Sequence, residues 1–202
     1  MQSNGDFALP ASFTSWDVQF NRTLGIFLHS FPCTPKSPRS SRRGKSQSMN
    51  FVSAIQKLPG RGKLAPTGVI VHATAGKSGQ SSVSWLAQIG LGYHYIIERD
   101  GSVIVGVPKE QKAFHAGKSR GWDGTNCNDY SLGIAFANMD NGEPITDKQI
   151  ASLKELLIVL QEKVSTLRYI SCHKWVSPGR KTDPVGWTPV GTDYCGLKVW
   201  RG

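Results

Sequence analysis

The chain has 202 residues, which is enough for one ordinary domain and too few for two of average size. Hydrophobic residues make up 39% and charged residues 19%, so a packed core is expected, and no apolar run is long enough to predict a membrane-spanning helix. The formal net charge of +10 leaves two classes of partner open: nucleic acid, or an anionic polymer such as a cell wall.

Residues 1–48 differ in composition from the rest of the chain. Residues 34–48 (TPKSPRSSRRGKSQS) carry almost no apolar surface to offset the entropy of ordering, so they predict a flexible linker. Residues 23–31 (TLGIFLHSF) are short and no small-residue cleavage site follows them, so we do not expect a signal peptide. We therefore expect a flexible basic segment over 1–48 and one compact domain over 49–202, and the sequence leaves open whether translation starts at Met49.

The strand-like segments begin near residue 67. Residues 68–72 (GVIVH) are apolar and β-branched, and they predict a buried strand. Residues 82–89 (SVSWLAQI) predict a short helix. Residues 93–98 and 103–107 predict two strands around an Asp-Gly turn, and residues 132–137 (LGIAFA) predict a further apolar strand.

The strongest helix signal follows Thr146, which forms a capping box with Gln149. Apolar residues then recur at helical spacing and form one face: Ile150, Leu153, Leu156, Leu157, Leu160 and Val164. Strands mixed with one or two helices predict an α/β fold, a single domain with a central mixed β-sheet flanked by helices and preceded by the flexible N-terminal segment.

Three of the five histidines lie beside small or turn-forming residues: His72 (VHATAG), His115 (FHAGKS) and His173 (CHKWVSPGRKTDP). His72 ends the predicted buried strand, where a side chain can emerge at the edge of the sheet. The loop after His173 contains prolines and a glycine and returns with Asp183, so it can bring a carboxylate back beside an imidazole. Two histidines and one aspartate form a reasonable catalytic zinc set, with the fourth position left for water.

These residues resemble the type 2 zinc amidases, the N-acetylmuramoyl-L-alanine amidases, which include phage amidase lysozymes, cytosolic anhydromuramyl-peptide amidases and peptidoglycan recognition proteins. Five segments over roughly residues 66–187 carry the resemblance, in the family's order. They are VIVHATAG (69–76), GYHYIIERDGSV (92–103), FHAG (114–117), NCNDYSLGIAF (126–136) and HKWVSPGRKTDP (173–184).

The resemblance implies a Zn²⁺ held by His72, His173 and Asp183. It implies that Lys181 stabilises the oxyanion and that Tyr93 lies near the metal water, as in the phage-type members. It also makes His115 a substrate-binding residue of the cleft that is not a metal ligand.

The implied activity is hydrolysis of the amide between the lactyl group of N-acetylmuramic acid and L-alanine in peptidoglycan, in cell-wall lysis or remodelling like that of a phage endolysin. The implied partner is peptidoglycan or a muropeptide, with no nucleic acid, no membrane span and a monomeric state. The sequence leaves the localisation open: host cytoplasm and then periplasm for an endolysin, or secretion otherwise.

One position departs from the cytosolic anhydromuramyl amidases. They have a glutamate where this chain has Ala135, and alanine cannot act as a base or orient a water. Tyr93 with Lys181 is then expected to carry the chemistry.

Three other functions stay open at this point. The first is a peptidoglycan-binding recognition domain without turnover. The second is a thiol hydrolase that uses Cys127 or Cys172, although no C-x-x-C motif is present and Cys172 and its neighbour His173 would point to opposite faces of a strand. We expect free thiols. The third is a nucleic-acid-binding protein, which the spread of positive charge over the whole chain does not favour.

Overall fold

A computed structural model describes residues 50–54 and 57–202 of the chain. The predicted flexible segment 1–48, which includes the predicted linker, lies outside the described residues, as does the open question of a start at Met49.

Twelve strands are present in the described residues, most of them short. In chain order they are β1 (Phe51–Ser53), β2 (Arg61–Lys63), β3 (Gly68–Ala73), β4 (Tyr95–Ile97), β5 (Val103–Val105), β6 (Gln111–Lys112), β7 (Arg120–Gly121), β8 (Gly124–Thr125), β9 (Ser131–Phe136), β10 (Tyr169–Cys172), β11 (Asp193–Tyr194) and β12 (Leu197–Val199). Eight of them form one sheet in the order β1-β5-β4-β9-β3-β10-β12-β11, while β2 pairs with β6 and β7 with β8. Within the large sheet, β4–β5 and β11–β12 are antiparallel and the other pairings are parallel. The predicted mixed sheet is confirmed.

Three α-helices accompany the strands over the same residues: α1 (Gly79–Ile89), α2 (Asp147–Lys163) and the single turn α3 (His173–Val176). Helix α1 begins three residues before the predicted start, because Ser78 caps it by accepting a hydrogen bond from the Ser81 N–H. The capping box predicted at Thr146 is confirmed in both directions. None of these helices is both long and apolar enough to cross a bilayer.

The two long helices cover opposite faces of the sheet, as the alternation of side chains along β9 shows. Leu132, Ile134 and Phe136 pack in one cluster with the buried face of α2. Ala135 and Ala137 point the other way, into a cluster with residues of α1. The predicted flanking of a buried central sheet by helices is therefore confirmed.

Strand β10 was not predicted, because the run Tyr-Ile-Ser-Cys at 169–172 is short and does not alternate. It lies beside β3 in parallel register, with Cys172 opposite Val71. Val71 is followed by His72 and Cys172 is followed by His173, so this register brings the two histidines side by side. Since the carboxyl ends of parallel strands meet at one edge of a sheet, the two histidines emerge together at that edge.

Candidate metal centre

The three predicted metal ligands meet at the carboxyl edge of the central strands. His72 is the fifth residue of β3 and is fully buried, His173 begins α3, and Asp183 returns at the end of the loop that follows α3. Their ligand atoms all lie within 4.8 Å of one another. Among the described residues, they form the one group of three or more potential metal ligands that converge in this way.

The spacing of these atoms fits a tetrahedral ion. The carboxylate of Asp183 lies 3.0 Å from Nδ1 of His173 and 3.5 Å from Nδ1 of His72. Zinc bonds to nitrogen and oxygen are about 2.0–2.1 Å long, so two ligands of a tetrahedral zinc lie roughly 3.3 Å apart. The observed separations of 3.0 and 3.5 Å fall on either side of that value.

The ring of His72 is also in the neutral form, which can bind a metal ion. Burial, and secondly the charge of His173, lower its pKa to about 4, so the ring is neutral at neutral pH. Its Nδ1 atom is buried and has no hydrogen-bond partner among the described residues. A buried polar atom without a partner is costly, and a cation between Nδ1 and Asp183 would satisfy it. Burial alone would raise the pKa of Asp183, but its close contacts with His173 and His72 hold it below its ordinary value.

The loop between α3 and Asp183 is fixed by its own polar groups. The backbone carbonyl of Asp183 accepts from the Lys174 N–H at 2.9 Å, and the Lys181 N–H donates to the carbonyl of Ser177 at 3.0 Å. Arg180 donates from its guanidinium to the carbonyls of Ala116 at 2.6 Å and of Lys118 at 3.1 Å. These bonds hold Lys181 at the cleft.

A cleft of about 380 Å³ opens onto the ligands and is lined by Lys181, Asp183, His173, Tyr93 and His115 among others. The ring of Tyr93 lies 5.0 Å from that of His72, between their centroids. Burial, with the charges of Asp183 and Asp140, raises the pKa of Tyr93, so its hydroxyl stays a hydrogen-bond donor at neutral pH. Five of the six predicted site residues thus line one cleft, and the sixth, His72, is buried next to them.

His115 lies at the wall of this cleft, and both of its ring nitrogens are engaged inside the protein. Nδ1 is 3.0 Å from Nε2 of His72, and Nε2 is 3.2 Å from the carbonyl of Ser131. A contact between this side chain and the substrate stays a prediction.

Ala135 lies directly opposite His72 in the register of β3 and β9. Paired residues on adjacent strands project on the same face, so a longer side chain here would lie next to the metal ligand. The alanine is fully buried and packs in the cluster that Tyr93 borders. The departure noted in the sequence therefore falls at the metal centre itself.

Asp140 is a cleft residue that the sequence analysis missed. Burial raises the pKa of its carboxyl group, and the charge of Asp183 raises it further. Its backbone has a φ of 57°, a left-handed conformation that aspartate tolerates better than most residues. The stretch Met-Asp-Asn-Gly has the composition of an ordinary turn. The sequence therefore gives no signal that Asp140 lies in the cleft.

The two cysteines proposed for a thiol hydrolase are buried, free thiols. Burial raises the pKa of Cys172 to about 12 and also raises that of Cys127. Neither group forms a thiolate at neutral pH, which is the reactive form. The side chains therefore do not favour thiol chemistry.

Comparison with known proteins gives one family. The family model described as N-acetylmuramoyl-L-alanine amidase matches residues 62–186. The 1,6-anhydro-N-acetylmuramyl-L-alanine amidase AmpD of Enterobacter cloacae is 35% identical over 100 residues, which are 49% of this chain and 53% of AmpD. The chain thus aligns with about half the length of the curated relatives that it matches.

Two solved structures share the fold. The endolysin N-acetylmuramoyl-L-alanine amidase LysCS of Clostridium intestinale superposes with a TM-score of 0.54 at 24% identity, over 71% of this chain and 87% of LysCS. The amidase AmiD of E. coli, in complex with anhydro-N-acetylmuramic acid-L-Ala-D-γ-Glu-L-Lys, superposes with a TM-score of 0.53 at 23% identity, over 71% of this chain and 56% of AmiD.

Proposed function

Because this chain belongs to the N-acetylmuramoyl-L-alanine amidase family, we propose that it is a zinc hydrolase of peptidoglycan. The bond cleaved is the amide between the lactyl group of N-acetylmuramic acid and L-alanine. The observation that carries the proposal is the convergence of two Nδ1 atoms on one carboxylate beside a cleft, with the buried Nδ1 of His72 lacking a hydrogen-bond partner among the described residues.

His72, His173 and Asp183 would hold the zinc. When bound in such a site, zinc supplies Lewis-acid polarisation of a carbonyl and a hydroxide at neutral pH. Two imidazoles and one carboxylate would leave one position free for water or substrate, which is the pattern of catalytic rather than structural zinc.

Lys181 and Tyr93 line the cleft, where both would interact with the amide that is cleaved. The ammonium group of Lys181 offers a positive charge to the oxyanion that develops on the amide carbonyl. The ring of Tyr93 lies 5.0 Å from that of His72 between centroids, and its hydroxyl is a neutral donor that can help to move a proton to the departing amine. Ala135, which pairs with His72, offers no carboxylate, so we assign the chemistry to Lys181 and Tyr93.

The substrate class follows from the relatives. AmpD is named for a 1,6-anhydro-N-acetylmuramyl-L-alanine substrate, and AmiD was solved with an anhydromuramyl tripeptide. A muropeptide or peptidoglycan is accordingly the substrate proposed for this chain, which would act on the cell wall. An endolysin-like role in lysis is the finer proposal, supported by the shared fold of LysCS and by Ala135, which stands where the cytosolic anhydromuramyl amidases have a glutamate.

A second candidate function is peptidoglycan recognition without turnover. The observation in its favour is Ala135, since the position opposite His72 on β9 has no carboxylate, whereas the cytosolic anhydromuramyl amidases have a glutamate there.

One experiment separates the two functions. The purified protein is incubated with a defined muropeptide, with and without a chelator, and the new amino terminus is identified. Release of an L-alanine amino terminus that the chelator abolishes supports the hydrolase. The His173→Ala variant should lose both zinc and cleavage. Tight muropeptide binding with zinc present and no new amino terminus would support the recognition function instead.

A further inference from the structure

The side chain of His115 connects the metal centre to the backbone of β9. Its Nδ1 is 3.0 Å from Nε2 of His72, and its Nε2 is 3.2 Å from the carbonyl oxygen of Ser131. The imidazole is buried, with two other imidazole rings, those of His72 and His94, within 6 Å between centroids. A neutral imidazole carries one proton, on one of its two ring nitrogens.

The hydrogen-bond partners of His115 determine which of its two ring nitrogens carries the proton. A carbonyl oxygen can only accept, so Nε2 of His115 carries the proton and donates to Ser131. Nδ1 of His115 is then an acceptor, and Nε2 of His72 must be the donor to it. His72 in turn has no proton on Nδ1, the atom that faces Asp183 and lacks a protein partner.

We propose that His115 is a positioning residue of the metal centre: it fixes the tautomer and the ring orientation of His72 so that the Nδ1 lone pair points at the metal. This inference rests on the proposed metal site, and it assigns His115 a different role from the substrate contact that the family resemblance implies. A hydrogen bond to the second nitrogen of a metal-binding histidine is how proteins select which nitrogen binds.

Ala116, the residue after His115, contacts the other proposed metal-binding histidine, His173. Nε2 of His173 lies 3.1 Å from the carbonyl oxygen of Ala116, which offers it an acceptor, while its Nδ1 faces Asp183 at 3.0 Å. Two consecutive residues therefore orient both imidazoles, one through its side chain and one through its backbone.

The local structure holds this pair of residues in place. The side-chain oxygen of Asn128 accepts from the N–H groups of both His115, at 3.0 Å, and Ala116, at 2.8 Å. Gly133 leaves the space that the His115 ring fills, since a Cβ added to this glycine would lie 2.5 Å from Cγ of His115. Such supports are expected for a side chain whose orientation matters.

The test compares two substitutions of His115. In His115→Asn the side-chain oxygen can take the place of Nδ1 and accept from His72, whereas His115→Leu offers no acceptor. Both variants lose the donor to Ser131, so they are matched in that respect. Zinc affinity is measured by competition with a chelator, and the proton positions of the His72 ring are read from its ¹⁵N NMR signals.

We expect His115→Leu to lower zinc affinity by roughly 10- to 100-fold, the usual effect of losing such a support. His115→Asn should stay within about threefold of the unchanged chain. The unchanged chain should show His72 and His115 protonated on Nε2 alone, a measurement that holds even if a variant fails to fold.

Three results would overturn the inference. One is equal zinc affinity in His115→Leu and the unchanged chain, with the loss confined to KM, as a substrate contact requires. Another is an equal loss of affinity in both variants, and the third is a proton on Nδ1 of His72. The proposed function fails separately, if the protein binds zinc with the expected pattern but cleaves no muropeptide. If the unchanged chain binds no zinc, both proposals fall.

Discussion

The carboxylate of Asp140 accepts a hydrogen bond of 2.7 Å from the backbone N–H of Val185, two residues beyond the metal ligand Asp183. This bond anchors the end of the loop that carries Lys181 and Asp183 to the turn after β9. The loop is already held by backbone and Arg180 hydrogen bonds, so Asp140 supplies a further anchor at its end.

The first prediction tests this anchor. Asp140→Ala loses the acceptor and strains a left-handed residue with a φ of 57°, so we expect the apo protein to lose about 1–3 kcal/mol of unfolding free energy and zinc to bind more weakly. Asp140→Asn keeps an acceptor and tolerates the same backbone, so it should stay near the unchanged chain in both respects. Urea unfolding and chelator competition measure the two quantities. Equal behaviour of the alanine and asparagine variants would refute the anchor.

The second prediction concerns the ligand set. Asp183→Asn replaces a buried carboxylate by a neutral amide and should lose stoichiometric zinc. The control is Asp193→Asn, an exposed aspartate whose oxygen accepts from Gly196 and which lies outside the cleft. In the unchanged chain, zinc at a thousand times its Kd should raise the unfolding free energy by about 4 kcal/mol. Zinc content by elemental analysis, and denaturation with and without the metal, check both statements.

The third prediction concerns the groups that carry the chemistry. Tyr93→Phe should lower kcat on the order of 10²–10³-fold, roughly 3–4 kcal/mol of transition-state stabilisation, with zinc and fold intact. Lys181→Ala should cost a similar amount. If both groups serve one transition state, the double variant should lose less than the product of the two. Single-turnover cleavage of a defined muropeptide by zinc-loaded variants gives the rates, and an unchanged rate in Tyr93→Phe contradicts the assignment.

Ala135→Glu extends that test. Ala135 lies opposite His72 and is fully buried, so the new carboxylate should destabilise the apo protein by a few kcal/mol. In the Tyr93→Phe background it should restore part of the rate. Failure to recover any activity while zinc is retained would show that a carboxylate at this place does not reach the reacting groups.

The fourth prediction is a pH dependence of stability. Burial lowers the pKa of His94 from its ordinary 6.5 to about 4, and this residue is not a metal ligand. Below pH 6.5 the unfolded chain takes up a proton that the folded chain does not, so His94 stabilises the apo protein above pH 6.5. This contribution, about 3 kcal/mol, is lost as the pH falls towards 4.

Urea unfolding between pH 8 and pH 4, with a chelator present, measures the loss. His94→Asn does not titrate and keeps an acceptor for the Gly133 N–H, which His94 Nδ1 now binds at 2.9 Å. Its stability should therefore fall less steeply with pH. The same slope in both proteins would contradict the assignment to His94.

The fifth prediction concerns the domain boundary at Met49. A chain that starts at Met49 keeps β1, whose flanking residues bond to β5 through the pairs Ala54 N–H to Val105 and Val103 N–H to Asn50, at 2.8 and 2.9 Å. It should unfold cooperatively and keep most of its muropeptide cleavage. A chain that starts at residue 62 loses this strand and should be less stable by about 2–4 kcal/mol. Loss of cooperative unfolding in the longer chain would show that residues 1–48 belong to the fold.

The sequence alone predicted the parts of this protein whose signal is local. The apolar run that ends at His72 predicted β3, the apolar run over residues 132–137 predicted β9, and Thr146 with Gln149 predicted the start of α2. Five short segments in order indicated the family, and the family's pattern suggested the three ligands.

The tertiary structure decided what depends on distant partners. The four residues of β10 carry too little pattern to predict a strand, yet their register beside β3 brings His173 to His72. The sequence around Asp140 indicates only a turn, and it is the fold that brings the Val185 N–H to its carboxylate. The bonds of His115 to His72 and Ser131 span 43 and 16 residues, and no local pattern encodes them. Secondary structure is set by neighbours in the chain, whereas the proton position on an imidazole is set by whichever donor or acceptor the packed fold places against it.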